Sequence, residues 1–282
     1  MSGGQTVPPL AILCGGGGLA LEAARFAREN GRDLLLIGIA GVTPPEIEAF
    51  EHVRVRMGEV GKLFATLRAR GIEELAILGP MTRPEFSELR LDWGAVRRAG
   101  ELANLFRGGD DNLLKGIAGI FAREGIRIVG PIEFAPQLLA PEGLIAGRAP
   151  DGEAEADIRF AAAMLGALSP FDVGQGAVVA NGRVLAVEAA EGTDAMLARV
   201  ADMRASRRLR LKGPAGVFVK AAKRGQDMRL DLPAVGIKTI EGAARAELAG
   251  LAIAAGEVLI ADRANFAKAA TAAGLFVVGW RA

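Results

Sequence analysis

Between Lys220 and Pro233 the chain gathers four cations, Lys220, Lys223, Arg224 and Arg229, around Gln226 and the carboxylates of Asp227 and Asp231. Cations in such a loop can clamp phosphate oxygens, and a carboxylate among them can hold a metal ion or orient a water. The competing reading is a solvated, self-paired surface loop, since exposed ion pairs contribute little. Gly216-Val217-Phe218-Val219 precedes the loop and reads as a buried strand.

Other stretches have spacing that suits a ligand. Gly15 to Gly18 follow an apolar strand and precede a helix, where backbone can approach a phosphate. No Gly-Lys-Ser/Thr follows, so this is not a P-loop. The full dinucleotide spacing is missing, and Ile37-Gly38-Ile39-Ala40 offers no acidic residue for a ribose, which disfavours a nicotinamide enzyme. The alternative is a tight turn needing glycine for packing alone. Asp111 follows Arg107-Gly108-Gly109-Asp110, and Arg83 lies in Gly79-Pro80-Met81-Thr82-Arg83-Pro84. Both belong to segments expected at the carboxyl edge of a sheet, although a helix cap and a fixed Pro turn explain them equally.

Asn181-Gly182 is a two-residue hairpin signal. Pairing about it places Gln175 opposite Glu188, with polar patches at Asp172 to Gln175 and Glu188 to Asp194. Glu188, Glu191 and Asp194 could then gather with Asp227 and Asp231 around a cation, because clustered carboxylates otherwise repel. Separate solvation of these acids, with Thr193 or Asp194 capping a helix, is the simpler account.

Composition removes several chemistries. The chain has 282 residues, 34 Lys and Arg against 33 Asp and Glu, one Cys (Cys14) and one His (His52). A disulfide within the chain is impossible, a Cys/His zinc site lacks ligands, and any Ser-His or Cys-His catalysis would need His52. The metal expected is therefore a hard cation on carboxylates. A net charge of +1 argues for no nucleic-acid partner. With 51% hydrophobic residues and only 5% aromatic, the core must be aliphatic. Residues 1–9 read as a disordered leader, and no secretory signal or membrane-length apolar run is seen, so a cytoplasmic protein is expected.

Strand and helix alternate from Leu10 to Val129, which predicts a Rossmann-like parallel sheet flanked by helices over residues 10–134. Helices are expected at Leu19 to Glu29, Gly58 to Arg70, Trp93 to Phe106 and Asp111 to Glu124. Residues 135–152, rich in Pro and Gly, read as a linker with a short helix at Pro136 to Ala140. Residues 153–282 read as a catalytic α/β domain with a mixed sheet, including a helix from about Lys238 to Ala254 and a strand at Glu257 to Ala261.

Asp172-Val173-Gly174-Gln175, then Val187 to Asp194 (Val-Glu-Ala-Ala-Glu-Gly-Thr-Asp), then Lys220 to Gly236 with Gln226-Asp227, Arg229, Asp231 and Pro233 occur in a distinctive order. In this order they resemble the LpxI-type UDP-2,3-diacylglucosamine pyrophosphatases of lipid A biosynthesis, from Ile12 to the C-terminus. The family usually reads Lys-Pro-x-Gln-Asp in the last motif, and Arg224 stands at the Pro position. The resemblance implies two α/β domains with a substrate cleft between them. It implies Mg²⁺-dependent hydrolysis of a lipid-linked UDP-sugar to UMP and 2,3-diacylglucosamine 1-phosphate (lipid X), with water attacking the sugar-side phosphorus. Peripheral contact with the inner membrane and a homodimer are further expectations. The calcineurin-like enzymes of the same step need a His-rich dinuclear site, which one His rules out.

On this reading Asp227 binds metal or activates water, with Asp231, Glu188 and Asp194 as further metal candidates. Lys220, Lys223 and Arg229 neutralise phosphate. Gln175, Gln226 and Thr193 bond phosphate or sugar, Gly15 to Gly18 approach the nucleotide, and Arg83 and Asp111 contact substrate. Gln226 and Lys223 join Asp227 in the catalytic set. A non-hydrolytic nucleotide-sugar binding protein or transferase is the runner-up, and an interaction module the third reading.

Overall fold

A computed structural model describes residues 7–81, 92 and 110–281, without the side chains of 110–115. Two compact units emerge, Met1–Gln137 with Asp227–Asp231, and Leu138–Gln226 with Leu232–Ala282.

The first unit holds a five-stranded sheet of β1 (Leu10–Cys14), β2 (Leu34–Ile39), β3 (His52–Val55), β4 (Glu74–Leu78) and β5 (Arg127–Ile128). Their order is β3-β2-β1-β4-β5, and every pairing is parallel. This is the doubly wound order, with a reversal of winding between β1 and β4. Strands buried on both faces must be continuously apolar, and Leu10, Ala11 and Ile12 are fully buried. Helix α1 (Leu19–Glu29) presents Leu19, Ala20, Ala23, Ala24 and Ala27 to the interior and stops at Asn30 and Gly31, the latter at φ +74°. Helices α2 (Val60–Ala69) and α3 (Asp110–Arg123) complete the layers, with Phe64 and Phe121 tilted against each other at a centroid separation of 5.2 Å. A short α4 (Pro131–Phe134) follows β5. The helix expected from Trp93 to Phe106 lies outside the described residues.

The second unit holds β6 (Gly143–Ala146), β7 (Gly176–Ala180), β8 (Arg183–Val187), β9 (Val217–Lys220), β11 (Gly250–Ala254) and β13 (Phe276–Trp280). Their order is β6-β13-β11-β9-β7-β8. β13, β11 and β9 run parallel, while β6 and the β7–β8 hairpin are antiparallel, giving the mixed sheet expected. Helix α5 (Gly152–Leu168) packs on β7 and β9, and α6 (Gly192–Ala205) packs on α7 (Ile237–Arg245). α8 (Arg263–Ala272) leads into β13. Asp151 caps α5 through Ala154 N–H at 2.9 Å. A separate parallel pair joins β10 (Ala234–Val235) to β12 (Leu259–Ile260).

Several expectations need correction. Within residues 135–152 a 3₁₀ turn at Pro136–Leu138 leads to β6, an edge strand on β13. Gly143 and Gly147 bracket that strand at φ +92° and +73°, so glycine there serves pairing geometry rather than flexibility. The helix expected from Lys238 to Ala254 ends at Arg245, and Gly250–Ala254 is a fully buried central strand. A short apolar run has no period that separates buried strand from buried helix. The expected Glu257 to Ala261 strand shrinks to Leu259–Ile260 outside the main sheet. Asp227–Asp231 groups with the first unit, because Leu230 is buried in that unit's core. The cap of α6 is Glu191, with no side-chain cap bond, so neither Thr193 nor Asp194 serves as expected.

Candidate functional site

In the first unit Gly15 to Gly18 lie at the carboxyl end of β1, beside the winding reversal where open α/β sheets take ligands. The four glycines have different causes. A Cβ on Gly15 would sit 2.6 Å from Gly79 O and 2.7 Å from Pro80 O, so Gly15 is required by a close backbone crossing. Gly16 N–H donates to Pro80 O at 2.9 Å. Gly17 has φ +72°, and Gly17 and Gly18 have nothing within 4 Å of a built Cβ. Packing thus accounts for Gly15, a Cβ on Gly16 would meet only ordinary contacts from 3.5 Å, and Gly17 and Gly18 face open space at the start of α1. Cys14, just before, is buried, and loss of hydration pushes its thiol up to about 12. Burial thereby disfavours the thiolate at this position.

Asp227 belongs to the same unit. Its carboxylate accepts from Arg229 Nε and backbone N–H at 3.0 Å each, and from Nη2 at 2.7 Å. Its carbonyl accepts from Leu230 N–H at 3.0 Å and Asp231 N–H at 3.1 Å, so both acids sit on one turn. Hydrogen bonding and charge from Asp227 raise Arg229's pKa, with Glu133 adding to the effect. Backbone also passes close to Gly130, where a Cβ would come within 3.1 Å of Arg229 Cα and Met228 O. Arg127 joins Glu133 to Glu74, and Arg32 closes the alternating row on Glu74. Sequence reading missed this row, whose members are scattered along the chain. Asp111 lies in the first turn of α3, and Arg83 falls outside the described residues.

In the second unit the hairpin forms at Asn181 (φ 54°) and Gly182 (φ 71°), as its sequence demands. A register shift between Val178 and Val179 makes Ala177 face Val187, one residue off the pairing expected. Glu188 consequently straddles Gln175, donating to Gly176 O at 2.8 Å and accepting from Gly174 N–H at 3.1 Å. A Cβ on Gly174 or Gly176 would lie 2.5 to 2.6 Å from atoms of Glu188, which explains the glycines on either side of Gln175.

Lys220, at the end of β9, is only 4% exposed and Glu188 8%. Lys220 Nζ lies 3.1 Å from Glu188 Oε2 and donates to Thr193 Oγ1 at 2.7 Å, while Thr193 donates to Glu188 Oε1 at 2.8 Å. The three side chains form one hydrogen-bonded cluster. Lys220 compensates a buried carboxylate instead of presenting its charge, Glu188 faces that ammonium, and Thr193 bridges them. Asp194 is exposed in the first turn of α6, and Glu191 pairs with Arg199 at 2.9 Å. Among the described residues no three His, Cys, Asp or Glu side chains gather to hold a metal.

The polar loop itself is built around Gln226. Its Oε1 accepts from Lys223 N–H and Gln175 Nε2, each at 2.9 Å. Gln226 N–H returns to Lys223 O at 3.2 Å, and Gly225 has φ +79° while Arg224 is not in the left-handed region. This is a type II turn with Arg224 at the position where Pro is favoured. Arg224 N–H donates to Ser169 Oγ at 3.1 Å, a bond that Pro cannot make. Lys223 Nζ reaches Asp172 Oδ1 at 2.6 Å. Asp172 and Ser169 were not among the expected site residues, although Asp172 opens the polar stretch ending at Gln175.

Among the described residues no helix is long and apolar enough to cross a membrane. Two family models cover nearly all of the chain: the LpxI N-terminal domain matches residues 9–138 and the LpxI C-terminal domain residues 141–278. The chain is 40% identical over 270 residues to the UDP-2,3-diacylglucosamine pyrophosphatase LpxI of Caulobacter vibrioides, covering 96% of each protein.

Proposed function

The chain belongs to the LpxI family, and we infer that it is a UDP-2,3-diacylglucosamine pyrophosphatase, hydrolysing a lipid-linked UDP-sugar to UMP and 2,3-diacylglucosamine 1-phosphate. Likeness along nearly the whole chain, through both family domains, carries the reading. The local chemistry is compatible with it. Pyrophosphate hydrolysis needs charge neutralisation, an oriented water and a stabilised leaving group.

Asp227 is assigned the water or a metal ion. Arg229, half exposed and bidentate on Asp227, can exchange that carboxylate for a phosphate oxygen. In the second unit Lys223, paired with Asp172 at 2.6 Å, is a further cation suited to phosphate. Gly17 and Gly18 leave room for the nucleotide's phosphates at the start of α1.

Mg²⁺ fits the donor set at one place. It is usually held by one or two carboxylates together with substrate phosphates. Asp227 and Asp231, on one turn, would supply them. Glu188 does not suit, because Lys220 already faces it in a buried pair. When bound, Mg²⁺ would neutralise the charge that develops on the phosphates. Water attack on the sugar-side phosphorus and transient contact with the inner membrane from the cytoplasm complete the proposal.

The test is hydrolysis of UDP-2,3-diacylglucosamine by purified protein in ¹⁸O-water, with EDTA or with Mg²⁺. UMP and lipid X are expected only with the metal, with the label in lipid X. Turnover in chelator would remove the metal. Label in UMP would move the attack to the other phosphorus. Lipid binding without products would favour a non-hydrolytic nucleotide-sugar protein.

A further inference from the structure

We propose that the loop from Ser206 to Pro214, within the second unit, is a docking surface for a bilayer bearing anionic phospholipid headgroups. The proposal deepens the pyrophosphatase reading above, whose substrate is a lipid, and rests on it.

The loop is anchored at both ends. Ser206 ends α6, and its hydroxyl donates to Asp202 O at 2.7 Å. Arg207 N–H donates to Arg204 O at 2.9 Å, and Arg207 takes φ +56°, the left-handed position where helices usually stop on Gly. Leu209 is buried in the core of its unit, and its N–H donates to Met203 O at 3.0 Å. Arg204 grips the far end: its Nη2 donates to Gly213 O at 2.6 Å and to Glu247 O at 2.8 Å, with its side chain only 6% exposed. One arginine is thus turned inward, while Arg207, Arg208, Arg210 and Lys212 stay exposed. Among the described residues none of these four side chains has a hydrogen bond or an ion pair.

The charge is local. From Met203 to Gln226 the chain has no Asp or Glu, in a protein whose net charge is only +1. The acids beside the loop are Asp202, in the last turn of α6, and Glu247, which Arg204 already meets at 3.3 Å. Exposed Lys and Arg near an anionic membrane surface strengthen binding by about fivefold each. Leu211, partly exposed between Arg210 and Lys212, offers an apolar side chain to the same interface. No aromatic residue stands between Arg204 and Val217 on which a base could stack, which favours a lipid surface over single-stranded nucleic acid.

The experiment sediments the full-length protein with phosphatidylcholine vesicles, with and without about one-third phosphatidylglycerol. Wild type should bind only the anionic vesicles and leave them as salt rises. The fourfold variant R207Q/R208Q/R210Q/K212Q should bind them on the order of 100-fold more weakly. R208Q/R210Q serves if the fourfold change unfolds the protein, and should lose about 25-fold. Hydrolysis of UDP-2,3-diacylglucosamine by the variants should fall when the substrate is presented in anionic vesicles and stay within about twofold of wild type in neutral detergent micelles. Vesicle binding retained by both variants would overturn the proposal. So would wild type that ignores the vesicles while hydrolysing the substrate in micelles, or that retains a duplex RNA in their place. Wild type that binds anionic vesicles through these cations and hydrolyses nothing would support the docking surface and sink the pyrophosphatase reading instead.

Discussion

The Arg229 guanidinium meets the Asp227 carboxylate side-on, Nε 3.0 Å from Oδ1 and Nη2 2.7 Å from Oδ2. The pair is two residues apart and its arginine is half exposed, so it orients a carboxylate more than it stabilises a fold. Asp227→Ala should therefore abolish turnover while shifting unfolding free energy by no more than about 1 kcal/mol. Steady-state assay and urea denaturation of the same preparation check both halves. Ordinary hydrolysis by the variant would end the assignment.

Lys220 is predicted to behave as a structural cation. Removing it strands the Glu188 carboxylate, with Thr193 as its remaining partner among those described above. Breaking a buried pair from one side costs about 3–5 kcal/mol, whereas an apolar replacement of both partners costs far less. Lys220→Ala should be strongly destabilised, and Lys220→Met with Glu188→Leu should recover much of the loss. Denaturation midpoints decide it. A stable Lys220→Ala protein with a raised KM would return Lys220 to the phosphate.

The glycine run should split by position. Gly15→Ala forces a methyl against two backbone oxygens and should cost about 1–3 kcal/mol. Gly18→Ala meets open space at an ordinary φ of −93° and should cost at most about 1 kcal/mol, its effect appearing in KM. Thermal unfolding of both variants, with KM for the second, separates packing from ligand approach. Equal destabilisation would contradict the division.

Glu133 should shape the acid limb of stability. Burial by itself would raise its pKa, but hydrogen bonds from Arg127 and Gly130 N–H, with charge from Arg127 and Arg229, hold it below the ordinary 4.5. A depressed carboxylate contributes stability that is complete above 4.5 and lost as pH falls through its lower folded value. Glu133→Gln should flatten the fall in melting temperature below about pH 4.5 and lower the melting temperature at neutral pH. An unchanged acid limb would show that the carboxylate adds nothing there.

Local signals were legible where short-range chemistry dictates backbone. Alternating apolar strands and stopped helices announced the doubly wound sheet, and Asn181-Gly182 announced its hairpin. The Lys238 to Ala254 helix misled because Gly250–Ala254 is apolar throughout, and only its place between β9 and β13 selects a strand. Arg224 in the Pro position also reads differently in three dimensions, since its N–H holds Ser169 where Pro would have set the angle by its ring.

By itself the sequence determined the chemical inventory and the family: one His and one Cys, a cation-rich Gln226-Asp227 loop, and three polar stretches in a distinctive order. These are properties of composition and local spacing, and they survive without coordinates. Only the tertiary structure decided which partner each charged group took. Lys220 turned inward to Glu188, Arg229 turned to Asp227, and Gln175 reached Gln226. Arg229 and Asp227 are two residues apart, but Lys220 and Glu188 are 32 apart and Gln175 and Gln226 51 apart, so those two pairings follow from burial and strand register and no local pattern encodes them.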